Sequence, residues 1–498
     1  MPPSLSARFQ PIRDFVGTDA YWLAVGLLVF LTVVPGANSE GYFQTGKLFV
    51  LLAVTLLTAT YIWLHRTRFR FSAPRPVLWL VLGYVAWMTL TNTLLSSQPG
   101  STVVGWPGWR GGLLTNAGYW LLFLLMLCRP RGDRERWPWP LLLGFLALTS
   151  LWAAAEFLGL RPWLGNPLLG AVQGSFRVTA FPILTVGNSG WISGLWPLLT
   201  PLALVFAQQR RWAALLPTLA LLLLGVAATQ GNLSALVFSG LMLLFAGLTV
   251  RRSLPAALLL AACALLPAPV TSGLVDVNTW LQSRGAVEGQ PQQNQFTAQT
   301  TGQTTSERLL IFTSGLRSAA GRPLTGWGYE TFHNNFYGHL TEQEREPILR
   351  RIINAAPDEQ VGMSGLAVVA RRADGSGPPR EATLLMVKPH NYLIEEVYSN
   401  GFTALLFLLP VLGLIVRELL RARTELACFA LLAWLGYGGY LMGWFLNPSV
   451  TPLALAILAL GLRSADRARE LRGQESRESG RGRQGLEPIP AAQLGKSE

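Results

Sequence analysis

Charge is scarce in this sequence. Asp, Glu, Lys and Arg make up 13% of its 498 residues, while hydrophobic residues make up 50%. A charged share near a quarter is usual for soluble domains, so an ordinary water-soluble fold is excluded. The composition is that of a polytopic membrane protein. Cysteine is scarce as well. Cys128, Cys263 and Cys428 lie far apart, each inside apolar sequence. They read as small hydrophobes rather than as a disulfide framework or a metal set. No HExxH or CxxC spacing accompanies the four histidines, which leaves a metal site without support. The apolar stretches themselves hold almost no ionisable groups, Glu156 near the outer end of the fifth being the main exception. Ion-coupled transporters keep such groups near the midplane, so coupled transport is disfavoured. No cleavable signal peptide is apparent either, because no small-residue cleavage site follows the first apolar stretch at Tyr21–Ala37. That stretch reads as an anchoring helix.

What is present is a series of long apolar runs near 21–37, 47–64, 77–95, 114–128, 138–157, 190–207, 212–229, 233–250, 254–271, 401–418, 425–445 and 447–462. Each approaches the ~20 residues that a bilayer core requires. The formal net charge of +13 would suit nucleic acid, but basic residues also collect in cytoplasmic loops of membrane proteins. Their placement favours the second explanation. Arg66, Arg68, Arg70 and Arg75, then Arg129, Arg131, Arg134 and Arg136, then Arg210 and Arg211, Arg251 and Arg252, and Arg417, Arg421 and Arg423 fall in every other loop. The intervening loops carry chiefly Lys47, Arg110, Arg161 and Arg177. This alternation predicts an all-α membrane protein of about twelve spans in the inner (cytoplasmic) membrane, both termini cytoplasmic, with no nucleic-acid partner.

The expected organisation is a cytoplasmic N-terminus (1–20), nine spans (21–271), a large extracytoplasmic loop domain (272–389), a short helix with three spans (390–462) and a disordered cytoplasmic tail (463–498). Within the loop, Gly285–Thr305 is rich in Gln, Thr and Gly and is expected to be mobile, Glu342–Ile353 reads as a charged helix, and Ala370–Pro379 as a turn-rich connector. A structureless loop of that length would be unusual, hence the expectation of a small domain.

The loop ends at Pro389-His-Asn-Tyr-Leu-Ile-Glu-Glu-Val-Tyr-Ser-Asn-Gly401. Pro389 suits a first helical turn and Asn400-Gly401 a helix stop, giving a short helix with His390, Leu393, Ile394 and Val397 on one face. Other polar candidates on the same side are Arg110, Arg177 with Asn188, Arg308 and Asn391. Arginines suit a phosphate or diphosphate, whose oxygens match the guanidinium fork. A histidine among them can take a proton from a hydroxyl near neutral pH. Bland alternatives stand beside this: a histidine at a helix start is commonly a capping or surface residue, outside arginines commonly meet lipid phosphates, and Trp106 and Trp109 are most simply interfacial anchors. His333 and His339 are rival histidines.

The Pro389–Gly401 segment, followed by an apolar span, resembles the His-Asn…Leu…Gly signature of the O-antigen ligase and polymerase family. Glu307-Arg-Leu-Leu-Ile-Phe312 with Arg322-Pro-Leu-Thr-Gly-Trp-Gly-Tyr-Glu-Thr-Phe332 is similar to that family's Arg…Trp…Pro-Leu-x-Gly-x-Gly…Phe segment. Arg177-Val-Thr-Ala-Phe…Gly187-Asn188 resembles its Arg…Gly…Asn-Pro segment, and Trp109-Arg-Gly-Gly112 is a weaker match. The resemblance implies a GT-C-like, metal-independent inverting glycosyltransferase with no cofactor. The donor would be a glycan on undecaprenyl diphosphate at the outer leaflet, and the acceptor a hydroxyl on lipid A core, a glycan or a protein. It also implies His390 as the base and Arg308, with Arg177, as diphosphate ligands; Asn391 would orient the histidine or cap its helix. The sequence departs from the family at Thr229-Gln-Gly-Asn-Leu-Ser234, where the Thr-x-Ser-Arg-Gly arginine is missing, at Asn188-Ser189 and at Gly401-Phe-Thr-Ala404. Arg177 or Arg110 would have to compensate for that arginine. The readings from other classes are a transporter of a small anion or of the lipid-linked glycan, and a non-catalytic envelope scaffold.

Overall fold

The computed structural model describes residues 15–32, 42–106, 110–131, 138–160, 184, 189–287, 301–353, 355–364, 367–376, 378–383 and 388–484. In chain order its elements are α1 (Asp19–Leu31), α2 (Tyr42–Leu64), β1 (Phe69–Phe71), α3 (Arg75–Thr93), α4 (Pro99–Val104), α5 (Leu113–Met126), β2 (Cys128–Pro130), α6 (Trp139–Phe157), α7 (Ser189–Ile192), α8 (Leu195–Leu199), α9 (Pro201–Gln208), α10 (Trp212–Thr229), α11 (Asn232–Thr249), α12 (Leu254–Cys263) and α13 (Pro267–Ser283). Then come α14 (Thr301–Ala320), α15 (Phe332–Phe336), α16 (Glu342–Ile352), β3 (Glu359–Ser364), β4 (Ala367–Arg372), β5 (Arg380–Thr383), α17 (Tyr392–Asn400), α18 (Thr403–Ala422), α19 (Glu425–Leu441) and α20 (Thr451–Gln484).

Helices dominate because the apolar runs are leucine- and alanine-rich and their ends are punctuated. Thr18, Ser253, Asn391 and Thr424 accept backbone N–H groups as N-caps of α1, α12, α17 and α19. A helix coincides with every one of the twelve apolar runs. Among the described residues, six are long and apolar enough to cross a membrane alone; a seventh candidate is the pair α12 and α13, bent by 58°. One of the six, Gly190–Gln208, is made of the three consecutive helical pieces α7, α8 and α9, and α1, α5 and α19 are short apolar helices. Leucines such as Leu56, Leu57, Leu236 and Leu406 project outward, two thirds or more exposed, as lipid-facing side chains do in a multi-pass membrane protein. Inside, the bundle core is built around Trp22, Trp196, Phe238 and Tyr437.

Lys47, expected in an outer loop, instead lies within α2 and is fully buried. Its ammonium donates to the carbonyls of Val29 (3.2 Å), Phe30 (2.5 Å) and Thr32 (2.9 Å). It thereby satisfies the open C-terminal end of α1, where cations are favoured. The tail after Arg463 also departs from expectation: helix α20 runs on to Gln484. Arg463 and Arg467 pair with Asp19 (3.2 and 2.7 Å), and Arg70 and Arg129 both bind Asp466 and Glu470. These ion pairs join the start of α1 and the β1–β2 ribbon to the extension of α20 and hold it in place.

Between α13 and α17 a second, smaller core forms from Ile311, Phe332, Phe336, Leu340, Ile348, Leu349, Val368 and Tyr398. The charged helix expected at Glu342–Ile353 is α16. The expected connector at Ala370–Pro379 is partly strand: β4 pairs with β3 and β5 in a three-stranded antiparallel sheet, with Val369 opposite Gly362 and Glu381. Short strands with few apolar residues gave no clear alternation to read. Most of the expected mobile stretch lies outside the described residues; Thr301–Thr305 opens α14.

Candidate active site

Helix α17 starts at Tyr392, not at Pro389. His390 has φ +52°, a left-handed conformation that a non-glycine residue adopts at a cost of about 1–3 kcal/mol. It therefore precedes the helix rather than sharing a face with Leu393 and Val397. Asn391 is the true N-cap: its Oδ1 accepts from Ile394 N at 3.1 Å, while its Nδ2 donates to the Met442 carbonyl at 2.8 Å. The far end of α17 matches expectation. Gly401 closes it at φ +73°, with its N–H on Val397 O. A Cβ there would lie 2.1 Å from the Leu324 carbonyl oxygen, so only glycine fits.

That contact is one of several that lock two motifs together. Trp327 N and Gly328 N donate to the carbonyls of Tyr398 (2.8 Å) and Ser399 (2.9 Å), and Phe402 N donates to Pro323 O (2.7 Å). Buried side chains reinforce the joint. Glu396 accepts from Tyr84, from Tyr329 (3.2 Å) and from Asn400 (2.9 Å). Asn400 Oδ1 in turn accepts from Thr91 and Asn92, both at 2.9 Å, on α3. Burial pushes the Glu396 carboxyl up to about 7, against the pull of its three donors.

His390 is partly buried. Its ring centroid lies 5.5 Å from Trp444 and 5.7 Å from Phe445, in the segment joining α19 to α20. Arg308, from α14, stands over the same Trp444 ring with its guanidinium carbon 5.4 Å from the centroid. Arg308 and His390, far apart in sequence, thus meet on one indole. The proximity registers electrostatically. Burial and the Arg308 charge hold the imidazole down at about 4, while its hydrogen bond with the Lys388 carbonyl, Nδ1 to O 3.0 Å, pulls it up. A carbonyl only accepts, so Nδ1 carries the hydrogen and Nε2 the lone pair.

Beneath the histidine is a buried ionic cluster that the sequence reading missed. Lys388 Nζ is 2.5 Å from Glu395 Oε1 and 3.9 Å from Glu330 Oε1, and lies over the Phe445 ring at 4.8 Å. Glu330, also in a left-handed conformation (φ +55°), accepts from Trp106 N and, at 2.7 Å, from Gly111 N. Burial pushes its carboxyl up to about 7; Lys388 and the two N–H groups oppose the shift. A Cβ at Gly111 would meet Lys388 Nζ at 2.5 Å, which explains a glycine after Arg110. Lys388 lies just before the Pro389–Gly401 motif and Glu330 within the Pro323–Phe332 motif, with nothing local in the sequence to pair them.

The remaining candidates divide. Arg110 donates to Thr45 Oγ1 (3.1 Å) and to the Gly105 carbonyl (3.5 Å), so its side chain is engaged toward α2. Arg177 and Asn188 lie outside the described residues, as does Trp109. Of the rival histidines, His333 packs edge-on against Trp106 at 5.1 Å, and His339 Nδ1 meets the Asn335 carbonyl at 2.8 Å. Among the described residues no group of three or more His, Cys, Asp or Glu is arranged to hold a metal ion. Alongside the site, a cavity of about 270 Å³ opens between α5, α17, α18, α19 and α20. Tyr392, Leu393, Met442 and Leu446 line its near end, and Leu408, Leu412, Leu431 and Leu455 its apolar walls.

Residues 217–353 match the family described as O-antigen ligase. That match supports placing the chain with the O-antigen ligases and polymerases. The matched segment runs from within α10 to the end of α16 and contains Arg308 and the Pro323–Phe332 motif; it ends before His390. No curated protein matches the chain.

Proposed function

We propose that this protein is a membrane glycosyltransferase of the O-antigen ligase type. It moves a glycan from undecaprenyl diphosphate to an acceptor hydroxyl at the extracytoplasmic face. The observation that carries the reading is the convergence of Arg308 and His390 on Trp444, at 5.4 and 5.5 Å, in a chain that matches this family. His390 Nε2 takes the proton of the acceptor hydroxyl as the oxygen attacks the anomeric carbon. The bond from that carbon to the diphosphate oxygen breaks, and the lipid diphosphate leaves with its charge facing Arg308. Attack opposite the leaving group inverts the anomeric configuration. The chemistry asks for a base and a cation, and these two side chains supply them without a metal.

The neighbouring cavity supports a lipid-borne donor. Its lining is almost wholly apolar and it adjoins the residues that flank His390 and Trp444, so it suits an isoprenoid chain whose headgroup rests on Arg308. Arg177, with Asn188, is proposed as a second headgroup ligand, in place of the family arginine missing after Thr229. For Arg110, whose guanidinium donates to Thr45, the proposed role is structural. The proposed twelve spans with both termini in the cytoplasm, and an extracytoplasmic unit over 272–389, rest on the alternation of basic loops; the GT-C-like architecture rests on the family resemblance. The acceptor is lipid A core, a growing glycan or a protein hydroxyl.

The test is His390→Ala. Loss of a general base typically costs about 10²–10⁴ in rate, so transfer falls below detection while the protein remains in the membrane. Full transfer by that variant would overturn the role of His390.

A further inference from the structure

We infer that Lys388 is a positioning residue for His390, its ammonium anchored between Glu395 and Glu330 so that its backbone carbonyl holds the histidine ring in register with Arg308. The inference rests on the proposed role of His390 as the base. The Nδ1 of His390 is held by the carbonyl of Lys388, 3.0 Å away. A carbonyl orients a ring only as well as its own peptide is held. Here the peptide is held from the side chain. Lys388 is 2% exposed, its Nζ is 2.5 Å from Glu395 on α17, and Glu330 lies 3.9 Å away on the other side.

Each anchor is tied to a different part of the fold. Glu395 belongs to the first turn of α17, whose N-cap is Asn391. Glu330 clamps the N–H groups of Trp106 and Gly111, in the segment that leads into α5. Phe445, against which Lys388 packs at 4.8 Å, also touches the His390 ring at 5.7 Å. Pro389 stiffens the link between the two residues. The far side of His390 is held by the Asn391 contact with Met442. A buried ion pair is a poor means of stabilising a fold, because desolvation offsets most of its attraction. A pair that sets the geometry of a strained, left-handed histidine has a clear use.

The proposal is tested with the purified full-length protein and an undecaprenyl-diphosphate-linked oligosaccharide extracted from membranes, following release of undecaprenyl diphosphate. Wild type, His390→Ala, Lys388→Met, Lys388→Arg and Glu395→Gln are compared, with kcat referred to folded protein. Lys388→Met is expected to lower kcat at least tenfold with KM for the donor within about twofold of wild type. Lys388→Arg, which keeps the cation, is expected to recover most of the loss, and Glu395→Gln to fall between. An unchanged kcat in folded Lys388→Met overturns the inference. So does a raised KM with kcat intact, which would make Lys388 a donor ligand. If Lys388→Met fails to fold, Glu395→Gln carries the same comparison, because it loosens the anchor while leaving the ammonium. Activity in His390→Ala would instead remove the base reading, and an active Lys388→Met beside an inactive His390→Ala removes only this inference.

Discussion

Arg308 and His390 share one indole. The guanidinium stands 5.4 Å from the centre of Trp444 and the imidazole 5.5 Å. Two groups that repel when both are charged are therefore held on a common rigid surface. The arrangement favours the neutral histidine, the state the proposed base requires, and puts a permanent cation beside it where the proposed diphosphate would leave.

The pH dependence of turnover follows. His390 is held at about 4, so it is neutral throughout the physiological range and protonates only in acid. The histidine limb of kcat/KM is expected to stay flat down to about pH 5 and to fall below that, where an ordinary histidine would already limit the rate near 6.5. Arg308→Ala removes a like charge from the neighbourhood, which makes protonation easier, and the acid limb moves to higher pH. The same variant loses the leaving-group cation and with it about 10²–10³ in kcat. A pH–rate profile of wild type and Arg308→Ala measures both effects. An acid limb in the same place for the two proteins would show that the arginine does not act on the histidine.

Asn391 has two tasks, and substitution separates them. Its Oδ1 caps α17 and its Nδ2 binds the Met442 carbonyl. Asn391→Asp keeps a good cap but turns the Met442 contact into a repulsion between two acceptors. It is expected to leave thermal stability within about 1 kcal/mol of wild type and to lower kcat, because the segment carrying Trp444 shifts relative to His390. Asn391→Ala loses the cap as well and is expected to reduce both. Thermal unfolding and turnover of the two variants check the division; equal turnover in Asn391→Asp and wild type would show that the Met442 contact does not position the site.

Much of the bundle was legible because an apolar run of bilayer length states its own boundaries: α3 begins at Arg75 after Pro74 and α6 at Trp139 after Pro138, close to where hydropathy alone put them. The glycine stop at Gly401 was legible too, since a left-handed helix end asks for glycine. The start of α17 was not. Pro389 is a good first-turn residue, but tertiary contacts put His390 at φ +52° and moved the start to the Asn391 cap. The buried cluster was invisible for another reason. Lys388, Glu330 and Gly111 come from three distant segments, and no local pattern shows that a lysine will be enclosed by two carboxylates. Lys47 was misread because a cation near the end of an apolar run looks like a loop residue until the carbonyls of α1 appear around it.

Glu396 makes stability depend on pH in an unusual sense. Most acidic groups in folded proteins sit below their free values and stabilise the fold as pH rises. Burial pushes Glu396 up to about 7, and its partners Tyr84, Tyr329 and Asn400 are neutral donors that do not restore it. Between about 4.5 and 7 the folded chain keeps a proton that the unfolded chain has released, so the fold loses stability as pH rises through that window and levels off above it. Glu330, also raised to about 7, adds in the same direction. His390 works the other way below 6.5, because its folded value lies near 4. A variant is therefore needed to isolate the carboxyl. Glu396→Gln keeps the size of the side chain and one acceptor oxygen and removes the titration. Its melting temperature in detergent is expected to change less between pH 5 and pH 8 than that of wild type, with the larger gap between the two proteins at pH 8. Parallel melting curves across that range would show that Glu396 holds the same charge throughout, and the joint between α17 and α3 would then be independent of pH.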